Sequence, residues 1–338
     1  MAIIYLAYSP QTRVNYYGER ALTRLQALGE VRLNQSEVAL TPADLAREAA
    51  GCDVIVAPRI PAATAELFDN LPQLVAYCRG AVDIRTIDVA AASRNGVLVT
   101  HATPGFAASV AEWVLAAMFD LSRNISDAVL DYRNGIVPAV RMGRELRGAT
   151  LGVAGYGTIG QHLCRIAQAL GMKVLVADPY ARIEDPAHVA VSFDALLAHS
   201  DYVVCLAPAN AETAHMFNAA AFAKMRVSAF FVNASRGELV DEAALLHALD
   251  HGVITACALD VGMAPDQMPS PQLARHPRVI ATPHIGGLTP QAAEHQAMDT
   301  VNQVAAILAG RMPEGAVNAD QATRLLRLLR LLRPSAAT

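Results

Sequence analysis

The 338-residue sequence predicts an α/β protein with two parallel-sheet domains. Two observations carry that expectation. Short β-branched runs alternate along the chain with stretches of helical periodicity, the rhythm of βαβ units whose helices cover both faces of a sheet. The length is about twice that of an ordinary domain, so two cores with a cleft between them are expected. Hydrophobic residues make up 53% of the chain and charged residues 17%, enough apolar surface for packed cores and far from a disordered composition.

In the first domain, strands are expected at Ile3 to Ala7, Val31 to Leu33, Val54 to Ala57, Leu74 to Tyr77 and Val97 to Thr100. One helix start is legible in detail: Thr41 can cap it, Pro42 suits the first helical position, and Asp44 sets a carboxylate by the positive dipole end. Val110, Trp113, Val114, Ala117 and Leu121 form one apolar stripe, which predicts a long helix from Phe106 to Arg123 bridging the two domains. Trp113 on that stripe reads as core or subunit interface rather than as a ligand contact. A second array starts at Thr150, with strands at Val174 to Ala177, Tyr202 to Leu206, Ala229 to Val232, Thr255 to Leu259 and Val279 to Ala281. Thr289 to Ala309 reads as a helix returning to the first domain. In the tail, Arg324, Arg327, Arg330 and Arg333 recur every third residue between leucine pairs, a period that drifts around a helix and gives no clean apolar face. It receives no function.

Composition excludes several classes of partner. The net charge of −4 gives no field for a polyanion, so nucleic acid is not expected. Ala2 to Tyr8 lacks a basic flank and is too short for a signal peptide, and no run of eighteen apolar residues occurs, so no membrane association is expected. Cys52, Cys78, Cys164, Cys205 and Cys257 are widely spaced without a CxxC, which reads as reduced core residues of a cytoplasmic protein with no metal site.

The chemistry begins at Gly155-Tyr156-Gly157-Thr158-Ile159-Gly160, which follows the strand from Thr150 to Ala154 and opens a helix running to Leu170. That is the context a dinucleotide-binding GxGxxG requires. Gly155 permits the tight turn, Gly157 lets a pyrophosphate approach the backbone, and Gly160 lets the helix pack on the strand, while free N–H groups at the helix start hold phosphate. Asp178 ends the next strand eighteen residues after Gly160, ahead of Pro179, where a carboxylate can take the adenosine ribose hydroxyls and repel a 2′-phosphate. The expected cofactor is therefore NAD, on a Rossmann domain.

With that motif in place, the chain from about Val54 to about Asn318 resembles the D-isomer-specific 2-hydroxyacid dehydrogenases. The further motifs are DYVVCLAPANAET from Asp201 to Thr213, VNASRGELVDEAAL from Val232 to Leu245, ALDV from Ala258 to Val261 and TPHIGG from Thr282 to Gly287. The resemblance implies a Rossmann nucleotide-binding domain, residues 102–286, inserted into a flavodoxin-like substrate domain of residues 1–101 and 287–318, leaving 319–338 as a tail. It implies a homodimer acting on a small 2-keto or 2-hydroxy acid. It places Arg236 on the substrate carboxylate and carbonyl as a bidentate fork, and His284 as the acid/base at the carbonyl oxygen. Ala207, Pro208, Thr213, Ala234, Ser235, Asp260, Gly286 and Gly287 are implied to line the cofactor, with Asp260 on the nicotinamide amide. Arg79, Gly80 and Ala81 are implied to lie on the substrate loop.

Two departures stand out. Relatives carry a Glu followed by Pro after ALDV, and that Glu pairs with the catalytic His. Here the text is Val261-Gly262-Met263-Ala264-Pro265-Asp266, so Asp266 is the nearest carboxylate and is expected to stabilise the His284 imidazolium. The substrate loop carries Arg79 and Arg85 where relatives are glycine-rich, which suggests recognition of a second anionic group on the substrate. The competing readings are an NAD(H)-sensing binding protein with little turnover, and a dehydrogenase of a non-carbon acid such as phosphite.

Overall fold

The computed structural model describes residues 1–326 and 328, so Arg327, Arg330 and Arg333 of the arginine repeat lie outside the described residues. The chain divides into two compact units. One comprises residues 1–105 and those from 289 onward, and the other residues 106–288.

The first unit holds strands β1 (Ile3–Leu6), β2 (Glu30–Leu33), β3 (Val54–Ala57), β4 (Ala76–Arg79) and β5 (Leu98–His101). They form a five-stranded parallel sheet in the order β2-β1-β3-β4-β5, the flavodoxin-like arrangement. Its helices bury both faces. On one side Ile4, Leu6, Val54, Val56 and Cys78 meet Tyr17, Leu25 and the helix Pro290–Leu308; on the other Tyr5, Ile55 and Tyr77 meet Leu45, Leu67 and Phe68. The helix Pro42–Glu48 starts with the cap the sequence indicates, and Thr41 and Asp44 form a reciprocal capping box. The described part of the tail is not separate from this unit. Leu325 and Leu328 are buried in its core, and Arg324 donates to the carbonyl oxygens of Leu71 and Leu74 and to Asn95 Oδ1.

The second unit holds β6 (Thr150–Ala154), β7 (Lys173–Ala177), β8 (His188–Ala190), β9 (Tyr202–Cys205), β10 (Phe230–Asn233), β11 (Ala256–Leu259) and β12 (Val279–Ala281). The sheet is parallel, in the order β12-β11-β10-β9-β6-β7-β8. The strand order reverses between β6 and β9, and that switch point is where an open α/β sheet binds its ligand. The helix Ala107–Arg123, read from sequence as a bridge, lies inside this unit and packs Val110, Val114 and Met118 into the same core as Leu163 and Ala167 of the helix Thr158–Ala169. Trp113 is partly buried against that core.

Candidate functional site

The site is built at the carboxyl ends of the second unit's strands. After β6 the chain turns at Gly155 with φ +102°, and a Cβ there would lie 2.5 Å from the main-chain nitrogen of Ala207, so both conformation and space require glycine. A Cβ on Gly160 would collide with the carbonyl of Gly155, which fixes the close approach of the helix Thr158–Ala169 to the turn. Gly157 differs: nothing lies within 4 Å of its Cβ position. An open surface at a helix N-terminus fits an incoming pyrophosphate. Tyr156 turns its ring inward, with its hydroxyl 2.7 Å from His188 Nδ1, and Ile159 packs against the core, so neither side chain faces a ligand.

Asp178 does more than sequence suggests. Its Oδ2 accepts the N–H of Tyr156 at 2.7 Å, and its Oδ1 accepts those of Tyr180 at 2.9 Å and Ala181 at 3.0 Å. A carboxylate offers about four acceptor positions. Three are already spent, one on the glycine-rich turn at Tyr156 and two within the loop after β7.

The loop after β9 is held by its own side chains: Thr213 Oγ1 donates to the Pro208 carbonyl at 2.6 Å and accepts from Asn210 N at 3.0 Å. Ser235 Oγ reaches the Ala207 carbonyl at 2.5 Å, linking this loop to the one after β10. Asn233, not singled out from sequence, shapes that second loop. Buried at 1% exposure, it accepts from Ser235 N and donates to the Arg236 carbonyl. Arg236 therefore leaves a braced turn, with Nη1 on the Ser235 carbonyl at 2.7 Å. Gly237 lies so close to Gly262 that any Cβ would strike main chain, which sets the Arg236 loop against the loop after β11.

Asp260 holds the segment around His284. It is 3% exposed, and its Oδ1 accepts from Thr282 Oγ1 (2.6 Å) and Ile285 N (2.8 Å), while Oδ2 accepts from Gly286 N (2.7 Å). Both oxygens are thus engaged in holding the TPHIGG segment, and the Asp260 carbonyl receives the N–H of His284. Asp260 positions His284. Gly287 sits beside Phe106, where a Cβ would lie 3.3 Å from the phenylalanine Cβ.

Asp266 reaches His284 through its main chain: His284 Nδ1 is 3.0 Å from the carbonyl oxygen of Asp266. A carbonyl only accepts, so Nδ1 carries the hydrogen and Nε2 is the nitrogen left to exchange a proton. Asp266, Gln267 and His284 have φ of +56°, +60° and +56°, left-handed conformations rare outside glycine.

In the first unit Arg79 is buried and Arg85 is exposed. Arg79 ends β4, is fully buried, and donates from Nη1 to the Pro58 carbonyl and from Nη2 to Thr86 Oγ1 at 3.0 Å. Arg85 is engaged by Asp83, with Nη2 on Oδ2 at 2.9 Å. Gly80 packs on the Tyr8 hydroxyl, and Ala81 accepts the Ala102 N–H through its carbonyl. The five cysteines are free and buried. Among the described residues no helix is long and apolar enough to cross a membrane, and no cluster of three His, Cys, Asp or Glu is placed to hold a metal.

A seven-stranded parallel sheet with a glycine-rich turn at its switch point defines the second unit as a Rossmann NAD-binding domain. The sequence profile of the D-isomer specific 2-hydroxyacid dehydrogenase, NAD binding domain, matches residues 115–286, and the chain belongs to that family. It is 36% identical over 260 residues to a D-3-phosphoglycerate dehydrogenase of Mycobacterium leprae, covering 76% of this chain and 49% of that protein. It is 32% identical over 307 residues to the chloroplastic D-3-phosphoglycerate dehydrogenase 2 of Arabidopsis thaliana, covering 89% and 49%. The chain thus spans about half the length of these curated relatives. Among solved structures, the pyruvate reductase of Chlamydomonas reinhardtii superposes with a TM-score of 0.78 at 28% identity, over 93% of this chain and 98% of that one.

Proposed function

We propose that this protein interconverts a 2-keto acid and the corresponding 2-hydroxy acid with NAD(H), as a cytoplasmic homodimer. The observation that carries the reading is His284. It stands on a loop tied down by buried Asp260, with Nδ1 fixed as a donor and Nε2 free to serve as acid/base. When bound at the Gly155–Gly160 turn, the nicotinamide cofactor supplies or accepts the hydride. Arg236 holds the substrate carboxylate and carbonyl as a planar fork, which fixes the face presented for reaction. His284 Nε2 gives a proton to the carbonyl oxygen in reduction and takes it back in oxidation. The curated relatives named as D-3-phosphoglycerate dehydrogenases and the neighbour named as a pyruvate reductase support a 2-hydroxy or 2-keto acid substrate.

A panel of 2-keto acids, with and without a distal phosphate or carboxylate, assayed by loss of NADH absorbance tests this reading. Turnover of at least one member is expected. A second reading, an NAD(H)-sensing protein, is favoured by the neutral main-chain carbonyl that His284 Nδ1 meets. It predicts NADH binding without turnover across the panel.

A further inference from the structure

Tyr180 is 80% exposed, yet its hydroxyl donates to Glu212 Oε2 at 2.5 Å. The two residues come from different loops. Tyr180 follows β7 and Glu212 follows β9, and β6 lies between those strands in the sheet. Strands two places apart are separated by roughly 10 Å, so this bond crosses above the glycine-rich turn after β6, at the switch point. Glu212 is not loosely placed: its N–H donates to Asn210 Oδ1 at 2.9 Å, within the loop that Thr213 Oγ1 closes onto Pro208. The hydrogen bond to Glu212 and its charge, with a smaller contribution from Asp178 two residues before, favour the protonated form of the Tyr180 hydroxyl.

Asp178 has most of its acceptor capacity committed to main-chain N–H groups and little left for ribose hydroxyls, so a second carboxylate would add to the discrimination its charge provides. We propose that Glu212, held across the switch point by Tyr180, is a specificity residue that excludes the 2′-phosphate of NADP. This rests on the NAD reading above and deepens it. Arg182 is the one cation between Asp178 and Ala187, against Glu184, 3.9 Å from it, and Asp185, so the segment beyond Asp178 is acidic on balance. A phosphate carries a charge near −2, and through partly aqueous surroundings one nearby carboxylate should weaken its binding about tenfold.

The test is equilibrium fluorescence titration with NADH and NADPH alone, without substrate. Wild type should bind NADH more tightly. Glu212→Gln should tighten NADPH about tenfold and leave NADH within about twofold, and Glu212→Asp, which keeps the charge, should retain the discrimination. The gap between wild type and Glu212→Gln should narrow at high salt, as an interaction between exposed charges must. Equal NADPH affinity in wild type and Glu212→Gln would overturn the proposal while leaving the NAD reading intact, as would a parallel change in both cofactors, the mark of a merely structural residue. Wild-type protein binding neither nucleotide would overturn both.

Discussion

His284 Nδ1 and the main-chain carbonyl oxygen of Asp266 are 3.0 Å apart, and both residues hold left-handed backbone conformations to meet. The atom that orients the imidazole is therefore supplied by a loop conformation. Asp266→Gly keeps that carbonyl and relieves a left-handed residue worth about 1 kcal/mol; the variant should remain folded and active. Asp266→Pro forces φ to about −65°, which removes the carbonyl from His284 and should lower kcat/KM about a hundredfold. Steady-state kinetics on the pair decides it, and equal activity of the two variants would contradict the assignment.

Asp260 braces the same loop from below. Asp260→Ala leaves the N–H groups of Ile285 and Gly286 without their acceptor. Losing these two bonds and the one from Thr282 Oγ1 should cost about 2 to 4 kcal/mol, a fall of roughly 5 to 15 °C in Tm, with kcat reduced because His284 loses its support. Differential scanning calorimetry and kinetics on one preparation check both effects. A normal Tm would show that the loop does not depend on Asp260.

The glycines of the turn separate fold from binding. Gly155→Ala meets the Ala207 main chain and a φ of +102°, so it should lower stability as well as NADH affinity. Gly157→Ala has open space around it and should leave Tm within about 1 °C. Its methyl stands where the pyrophosphate approaches, so NADH affinity should fall. Unchanged NADH binding in Gly157→Ala would place the phosphates elsewhere.

Burial pushes the thiols of Cys78, Cys164 and Cys205 up from 9.0 to about 12. A raised folded value favours the protonated form, so its contribution to stability is fully present below about pH 9 and is lost as pH rises toward 12. The urea midpoint should therefore fall between pH 8 and pH 10, and a thiol-specific disulfide reagent should react slowly until the protein unfolds. Rapid labelling of the native protein at pH 8 would contradict this burial.

Much of the fold was legible because period and punctuation agree: β3, β6 and β12 fall on the residues expected. The misses have local causes. β8 is three residues long at the sheet edge and too short to show a period. β4 starts two residues later than read because Leu74 is buried in the core ahead of the strand. Arg79 reads as a loop cation because charges rarely finish a buried strand; its cover comes from Pro58 and Thr86. At the site, residue types pointed to Arg236, His284 and the glycine-rich turn. The roles of Asp178 and Asp260 as braces were hidden because their partners are main-chain N–H groups, which carry no sequence signature. The Asp266 carbonyl was hidden for the same reason. Tyr180 and Glu212 are 32 residues apart, and only the sheet order brings them together.

The central claim is that Arg236 acts on substrate while the glycine-rich turn holds the cofactor. Arg236→Lys keeps the charge and loses the bidentate fork. Measuring kcat/KM for the best 2-keto acid of the panel alongside the NADH dissociation constant, in wild type and Arg236→Lys, tests it most directly. The account predicts a loss of about a hundredfold or more in kcat/KM with NADH binding unchanged within about twofold. Normal kcat/KM, or a loss explained by weaker NADH binding, would contradict it.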